Sequence, residues 1–298
     1  MNYGKKGVRA KQKALNSKSQ KWGRKLALTC VKIMLAAVVG IGICGVAAGI
    51  GVFRGILSST PTIRLSDVVA VGEATIVYDK EGNEIDQYVS TNSNRLSVGM
   101  DEIPDYMGKA FVAIEDERFY QHNGIDVKGI LRAGYQFIKT GGEEAQGAST
   151  ITQQLLKNTV FTDWTSEGSN KIKKIKRKIQ EQYLALEITK YYSKDEILLR
   201  YMNAINLGQN TLGVESASLR YFGKHCSDLT LSECAVIASI TQNPSKYNPI
   251  RHPEDNAVRR EKCLNKMLEL GFVSQSEYDE AMADTDAVYE RIGLYDID

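Results

Sequence analysis

A glutamate placed between aromatic residues is the first candidate for chemistry in the sequence. Glu115 lies in AFVAIEDERFYQHNG, four residues after Phe111 and four before Phe119. If the segment is one helix, the three residues share a row and the carboxylate emerges between two rings. Apolar surroundings disfavour an ionised carboxylate, which suits a general base or acid working near neutral pH. On this interpretation, replacing Glu115 by glutamine leaves the thermal midpoint unchanged or raises it. The alternative is a solvated glutamate within the EDER cluster.

A polar stripe in the segment GASTITQQLLKN, residues 147–158, is a candidate anion site. Thr150 and Gln153 fit a capping box, so a helix should begin there with free backbone N–H groups at its start. Thr150, Gln154 and Lys157 then follow at i, i+4 and i+7, which places a hydroxyl, an amide and an ammonium in line. This arrangement suits a phosphate-bearing substrate, although an ordinary capped surface helix would have the same pattern.

A third segment, KIKKIKRKIQEQYLALEI at 171–188, carries two charged residues on an otherwise apolar row. Arg177, Glu181, Leu184 and Ile188 recur at i, i+4, i+7 and i+11. A solvated helix face would rarely include Leu184 and Ile188, so the row predicts a cleft or a second contact surface. The alternative is an exposed i, i+4 salt bridge of little energetic weight.

Helical periodicity dominates the chain beyond residue 104, and these helices must position the candidate residues. The fold class is therefore predicted to be mainly α, with two short strands only within 74–89. The helical runs are 104–120, a run beginning at Thr150, 170–190, 194–206, 230–241 and 254–270. The three histidines lie far apart and no CxxC spacing occurs, so neither a His-rich zinc site nor a disulfide framework is indicated.

Residues 33–53 form a run of 21 residues without a charge, long enough for a membrane-spanning helix. The 32 residues before it hold ten basic and no acidic side chains, so the positive-inside rule places the N-terminus in the cytoplasm. A cleaved signal peptide is the alternative, but both regions are longer than is usual for one. The remainder of the chain is net acidic, which disfavours a nucleic-acid-binding surface.

Five segments together resemble the peptidoglycan glycosyltransferase family (family 51), the transglycosylase module of penicillin-binding proteins. The resemblance covers about 95–285. The matching segments, in order, are EDERFYQHNG at 115–124, GASTITQQLLKN at 147–158, RKIQEQYLALE at 177–187, KDEILLRYMN at 194–203 and GVESASLRYFGK at 213–224, which leads into NPSKYNP at 243–249.

The resemblance implies a lysozyme-like helical fold and the polymerisation of lipid II with release of undecaprenyl pyrophosphate. Glu115 falls on the position of the family's catalytic base, and Glu181 falls on its second catalytic glutamate. The substrate-binding positions that carry over are Phe119, His122, Ser149, Thr150, Gln154, Lys157, Asn158, Arg177 and Lys178. The resemblance also makes a divalent cation, Mg²⁺ or Mn²⁺, a candidate cofactor with no identified ligands, and it implies no organic cofactor.

The implied organisation is a single-pass membrane protein with its catalytic domain outside the cytoplasm. Its expected partners are lipid II and the growing glycan strand, the bilayer and other cell-wall synthesis proteins, and no nucleic acid. Two alternatives remain: a lysozyme-like peptidoglycan hydrolase, and an inactive cell-wall scaffold. The expected segments are a basic arm at 1–32, a transmembrane helix at 33–53, a linker with a short hairpin at 54–94, the glycosyltransferase domain at 95–285 and a tail at 286–298.

Overall fold

The computed structural model describes residues 4–15, 17–64, 68, 75–81, 84–88, 95–140, 147–162, 168 and 170–295. The chain divides into two compact units, residues 1–60 and residues 61–298.

The first unit consists of helix α1 (Lys5–Leu15) and the long helix α2 (Lys18–Ser58). At 1.5 Å per residue, α2 is roughly 60 Å long. Within the described residues, the part of α2 from Lys21 to Ser58 is the one helix long and apolar enough to cross a membrane, and none of its apolar window is buried. The helix contains the predicted span and continues beyond it at both ends.

The second unit begins with a small antiparallel hairpin and is otherwise helical in its described residues. Strand β1 (Thr75–Tyr78) pairs with β2 (Glu84–Tyr88), with Thr75 opposite Tyr88 and an irregularity between Val77 and Tyr78. The predicted hairpin and the mainly α fold class are confirmed. The helices are α3 (Asp105–Glu115), α4 (Val127–Lys139), α5 (Ile151–Thr159), α6 (Lys171–Ile188), α7 (Lys194–Ala204), α8 (Val214–Phe222), α9 (Leu231–Ile240), α10 (Pro253–Glu269), α11 (Gln275–Ala283) and α12 (Thr285–Glu290).

Helix α9 lies at the centre of the core, and each of its ten residues is buried. It packs against α3 and α10, while α5 packs against α6 and α7. Capping boxes begin α5, α7 and α9, in which Thr150, Ser193 and Thr230 accept from the backbone N–H three residues later. The starts of these three helices therefore agree with the sequence prediction.

Helix α3 ends at Glu115, so the predicted run to Tyr120 is wrong. Asp116 leaves the helical conformation at φ −156°, and Phe119–Gln121 forms a separate 3₁₀ turn. The Asp116 carboxylate accepts a hydrogen bond from the Ile151 backbone N–H at 3.0 Å, a tertiary contact that holds the chain in its turn. Glu115 and Phe119 therefore do not share a helical row, and the expected carboxylate between two rings is not formed.

Candidate active site

Glu115 is held by donors from three other parts of the fold. Gln154 of α5 donates from Nε2 to Glu115 Oε2 at 2.9 Å. Thr241, directly after α9, donates from Oγ1 to Oε1 at 2.6 Å, and Arg259 of α10 donates from Nη2 to the same oxygen at 2.7 Å. The Glu115 side chain is 11% exposed. Because Oε2 accepts one of these bonds and Oε1 accepts two, Oε2 keeps the larger capacity to accept a further hydrogen bond.

The amide of Gln154 is oriented by Tyr201 of α7. The Tyr201 hydroxyl donates to Gln154 Oε1 at 3.1 Å, which turns the amide nitrogen towards Glu115. Tyr201 is fully buried, and its ring contacts Phe111 edge to face at 5.6 Å between centroids. Burial and the nearby Glu115 charge raise the pKa of the Tyr201 phenol, so it stays a neutral donor.

Arg259 is fixed by contacts on each side of its guanidinium. It donates from Nε to the Ser239 carbonyl at 3.1 Å and from Nη1 to Gln242 Oε1 at 2.8 Å, and it lies 5.2 Å from the centre of the Tyr247 ring. Its side chain is 10% exposed. The planar fork of arginine makes these contacts simultaneously with the Glu115 bond, which a lysine ammonium could not do.

Glu115 lines a cleft of about 350 Å³ that carries charges of both signs. Its basic side chains are Arg132, Arg259, Lys262 and Lys266. Glu117, on the same wall, accepts from Arg132 at 2.7 Å, and this bond lowers the pKa of Glu117. Glu117 is therefore occupied by its own cation, and Glu115 is the carboxylate bonded to donors from α5, α9 and α10.

Glu181 is fully buried and neutralised by two cations of its own helix. Arg177 forms an ion pair with Oε1, and Lys178 contacts Oε2 at 2.7 Å. Lys178 also donates to Ser149 Oγ at 3.0 Å, and Ser149 lines the cleft. Glu181, Leu184 and Ile188 are buried, so the alternative of an exposed salt bridge is wrong. That Arg177 and Glu181 line a cleft or a second contact surface stays a prediction.

His122 and Asp116 form a mostly buried pair, and Asp116 also lines the cleft. His122 Nε2 lies 2.9 Å from Asp116 Oδ1, and His122 Nδ1 accepts from the Gly124 backbone N–H at 3.2 Å. Since Nδ1 accepts this bond, Nε2 carries the ring N–H and donates it in a hydrogen bond to Asp116. Through Asp116 the pair connects the end of α3 to the first N–H of α5.

The remaining predicted residues divide between the core and partly exposed positions. Phe119 is fully buried, with the Lys194 ammonium 4.3 Å above its ring, and burial lowers the pKa of Lys194. Thr150 is buried and donates to the Gly124 carbonyl at 2.7 Å. Lys157 and Asn158 are partly exposed on α5. Their roles in substrate binding stay predictions.

Sequence reasoning missed the contributions of α10 and of the residues after α9. Arg259, Lys262 and Lys266 recur at i, i+3 and i+7 and line one side of the cleft. This cationic row was a readable signal at helical spacing. The hydrogen bond from Thr241 to Glu115 had no such signal, because it joins residues 126 positions apart in the chain.

The described residues do not fit a resident divalent cation. They contain no group of three or more His, Cys, Asp or Glu side chains placed to hold one. Glu115, Glu117 and Glu181 are each paired with Arg or Lys, so a metal would have to displace protein cations.

A helical domain whose cleft is lined by cations and holds a glutamate fixed by three donors is compatible with carboxylate chemistry on glycosidic bonds. The comparisons with known proteins identify the family. The chain belongs to the transglycosylase family, whose sequence model matches residues 81–268. This membership supports peptidoglycan glycosyltransferase activity, and the family is known to use divalent cations.

Relatives of the chain include penicillin-binding proteins. Penicillin-binding protein 1A of Clostridium botulinum (strain Langeland) is 40% identical over 273 residues, which cover 89% of this chain and 32% of the relative. Penicillin-binding protein 1F of Bacillus subtilis (strain 168) is 41% identical over 201 residues, covering 67% of this chain and 27% of the relative. The crystal structure of penicillin-binding protein 1A from Haemophilus influenzae has a TM-score of 0.39 at 23% identity, covering 72% of this chain and 21% of that chain. The chain spans about a third of the length of the first of these curated relatives.

Proposed function

We propose that this protein polymerises lipid II into glycan strands and releases undecaprenyl pyrophosphate. Glu115 Oε2 accepts the proton of the acceptor sugar 4-hydroxyl as that oxygen attacks the anomeric carbon of the donor. The new bond joins the acceptor O4 to the donor C1, and the bond from C1 to the phosphate oxygen breaks with its electrons on the leaving pyrophosphate. Gln154, Thr241 and Arg259 support this step by fixing the direction of the Glu115 carboxylate.

The burial and ion pairing of Glu181 favour a transferase over a hydrolase. A glycosidase uses a second carboxyl group, either as an acid on the leaving sugar or as a nucleophile. Glu181 is fully buried and paired with both Arg177 and Lys178, so neither role suits it. A pyrophosphate leaves without being protonated but needs positive charge around it. In the proposal Glu181 is a positioning residue that holds Arg177 and Lys178 for that purpose.

A lipid-linked substrate requires the active site to lie near a membrane, and two features support this. Helix α2 has the length and composition of a single span. Helix α4 exposes large apolar side chains, with Leu131 70% and Ile138 82% exposed. Surfaces of soluble globular proteins rarely group such residues, so this face is suited to contact with a membrane. We propose a cytoplasmic N-terminus, a catalytic domain on the outer side and contact between α4 and the bilayer. Contact with other cell-wall synthesis proteins is part of the same proposal.

Two substrates distinguish the proposal from its alternatives. The purified full chain in detergent micelles is given labelled lipid II in one reaction and finished, uncrosslinked glycan strands in another. The expected result is a ladder of longer strands from lipid II and no cleavage of the finished glycan. Cleavage without growth would make the protein a hydrolase, and inactivity in both reactions would make it a scaffold.

A further inference from the structure

A second depression lies beside the cleft and is lined by side-chain amides. It has a volume of about 830 Å³, and its carboxamides are Asn206, Gln209, Asn210 and Asn248. Gln242 lines the cleft of Glu115, while Pro244 lines this amide pocket. Two residues of chain span at most about 7 Å, so part of the lining of each depression lies close to the other.

Asn248 is the best-defined donor in the amide pocket. Its side chain is almost completely buried, at 4% exposure. Its Oδ1 accepts from the backbone N–H groups of Ile250 and Arg251, each at 3.0 Å. No described residue accepts a hydrogen bond from its Nδ2, although the side chain lines the pocket. An amide nitrogen that is fixed in direction, belongs to a residue lining the pocket and has no acceptor among the described residues is suited to a carbonyl oxygen of a ligand.

A loop beside Asn248 presents further amides to the same pocket. Gln209 and Asn210 both have positive φ, 45° and 60°, a conformation that costs energy and persists where the surroundings impose it. The Thr211 N–H donates to the Gly208 carbonyl at 2.7 Å, and the buried Tyr221 hydroxyl donates to the Leu207 carbonyl at 2.7 Å. These bonds hold the tip of the loop before any ligand binds.

The composition of the pocket favours a peptide over a sugar ring. Its described lining has no aromatic side chain on which a sugar could stack and no carboxylate that would repel an anion. Leu212 and Pro244 offer apolar contacts to small side chains, and the exposed Arg251 offers a cation. Amide donors match peptide carbonyls, and arginine matches a peptide carboxylate.

We propose that the amide pocket binds the peptide carried by the peptidoglycan precursor, with Asn248 donating to a peptide carbonyl and Arg251 pairing with a peptide carboxylate. This inference rests on the proposed function, because it assigns a second part of the same substrate. Glu115 and its donors act on the sugar, and the amide pocket holds the peptide without taking part in the bond change. The pocket should therefore set substrate affinity and leave turnover unchanged.

The test uses Asn248→Asp, which keeps the oxygen that accepts the two backbone N–H groups and removes the donor. Asn265→Asp is the matched control, because Asn265 Oδ1 also accepts a hydrogen bond, from the Tyr278 hydroxyl at 2.7 Å, and lies outside both depressions. Initial rates are measured with lipid II and with a lipid-linked disaccharide that lacks the peptide. For Asn248→Asp the expected KM for lipid II rises on the order of tenfold, with kcat within about twofold.

On the disaccharide without peptide, wild type and Asn248→Asp should have the same KM, and Asn265→Asp should match wild type on both substrates. Arg251→Gln, at an exposed position, should raise the KM for lipid II about fivefold and decides the matter if Asn248→Asp unfolds. An equal effect of the variants on both substrates, or no effect on either, would overturn the inference while leaving the proposed function intact. Wild type inactive on both substrates would overturn the proposed function and this inference with it.

Discussion

Replacing Glu115 by glutamine should slow polymerisation by orders of magnitude and lower the stability of the fold. The change keeps the size of the side chain but removes the negative charge that faces Arg259 at 2.7 Å. The glutamine amide at position 115 would also direct its own NH₂ group towards a donor. Gln154 already points its Nε2 at this position, and it cannot turn its oxygen there because that oxygen accepts from Tyr201. The expectation from sequence, an unchanged or higher thermal midpoint, therefore reverses once the ion pair is known.

The size of the stability loss depends on the hydrogen bonds that Arg259 keeps in the variant. Losing one partner of a buried ion pair costs up to roughly 3–5 kcal/mol. Arg259 keeps its bonds to Ser239 and Gln242 and is 10% exposed, so a cost of about 1–3 kcal/mol is expected. At this domain size the loss lowers the thermal midpoint by roughly 2–10 °C. Removing the base should reduce the rate by about 10²–10⁴.

The assay combines thermal unfolding of the full chain with the growth of glycan strands from lipid II. Glu117→Gln is the matched control, since Glu117 lines the same cleft but pairs with Arg132, and its turnover should stay within about tenfold of wild type. Strand growth by Glu115→Gln at the wild-type rate would remove Glu115 as the base. A loss in Glu117→Gln as large as in Glu115→Gln would refute the distinction between the two carboxylates.

Four further predictions concern three basic side chains, helix α4 and the His225–Glu215 pair. Arg177→Ala and Lys157→Ala should each lower activity by about tenfold to a thousandfold in strand-growth assays while the fold survives. Unchanged turnover in both variants would show that neither cation acts on the leaving pyrophosphate. Arg259→Lys should lower kcat by about tenfold or more with little change in KM, because a lysine cannot keep the forked contacts; a wild-type kcat would show that Arg259 does not position the base. Helix α4 should exchange its amide hydrogens faster than α6 in detergent and become protected on lipid vesicles, and equal protection of both helices without lipid would contradict bilayer contact. A hydrogen bond from His225 to Glu215 raises the pKa of His225 in the folded protein. The stabilisation by this pair is therefore complete below the pKa of His225 in the unfolded chain and is lost as the pH rises through its pKa in the folded protein. His225→Gln should remove this pH-dependent loss of stability, and an identical pH dependence of the thermal midpoint in wild type and variant would refute the prediction.

The features that the sequence determined are local ones. Capping boxes mark the starts of α5 and α9, formed by Thr150 with Gln153 and by Thr230 with Glu233. A capping box is complete within four residues, so it can be recognised in the sequence. The uncharged run at 33–53 specifies a long apolar helix in the same way. Glu115 stood out because its motif is contiguous. Each of these signals depends on neighbours in the chain, so no knowledge of packing was needed to read it.

The tertiary structure decided how these elements end and what surrounds Glu115. Helix α3 stops at Glu115 because Asp116 accepts the N–H of Ile151, a residue 35 positions later, and a pattern of helical period cannot contain that contact. The pairing of Arg259 with Glu115 joins residues 144 positions apart, and the core packing of α3, α9 and α10 brings them together. Hydrogen bonds between distant elements arise only when packing sets their separation, which is why the sequence located the glutamate and the fold supplied its partners.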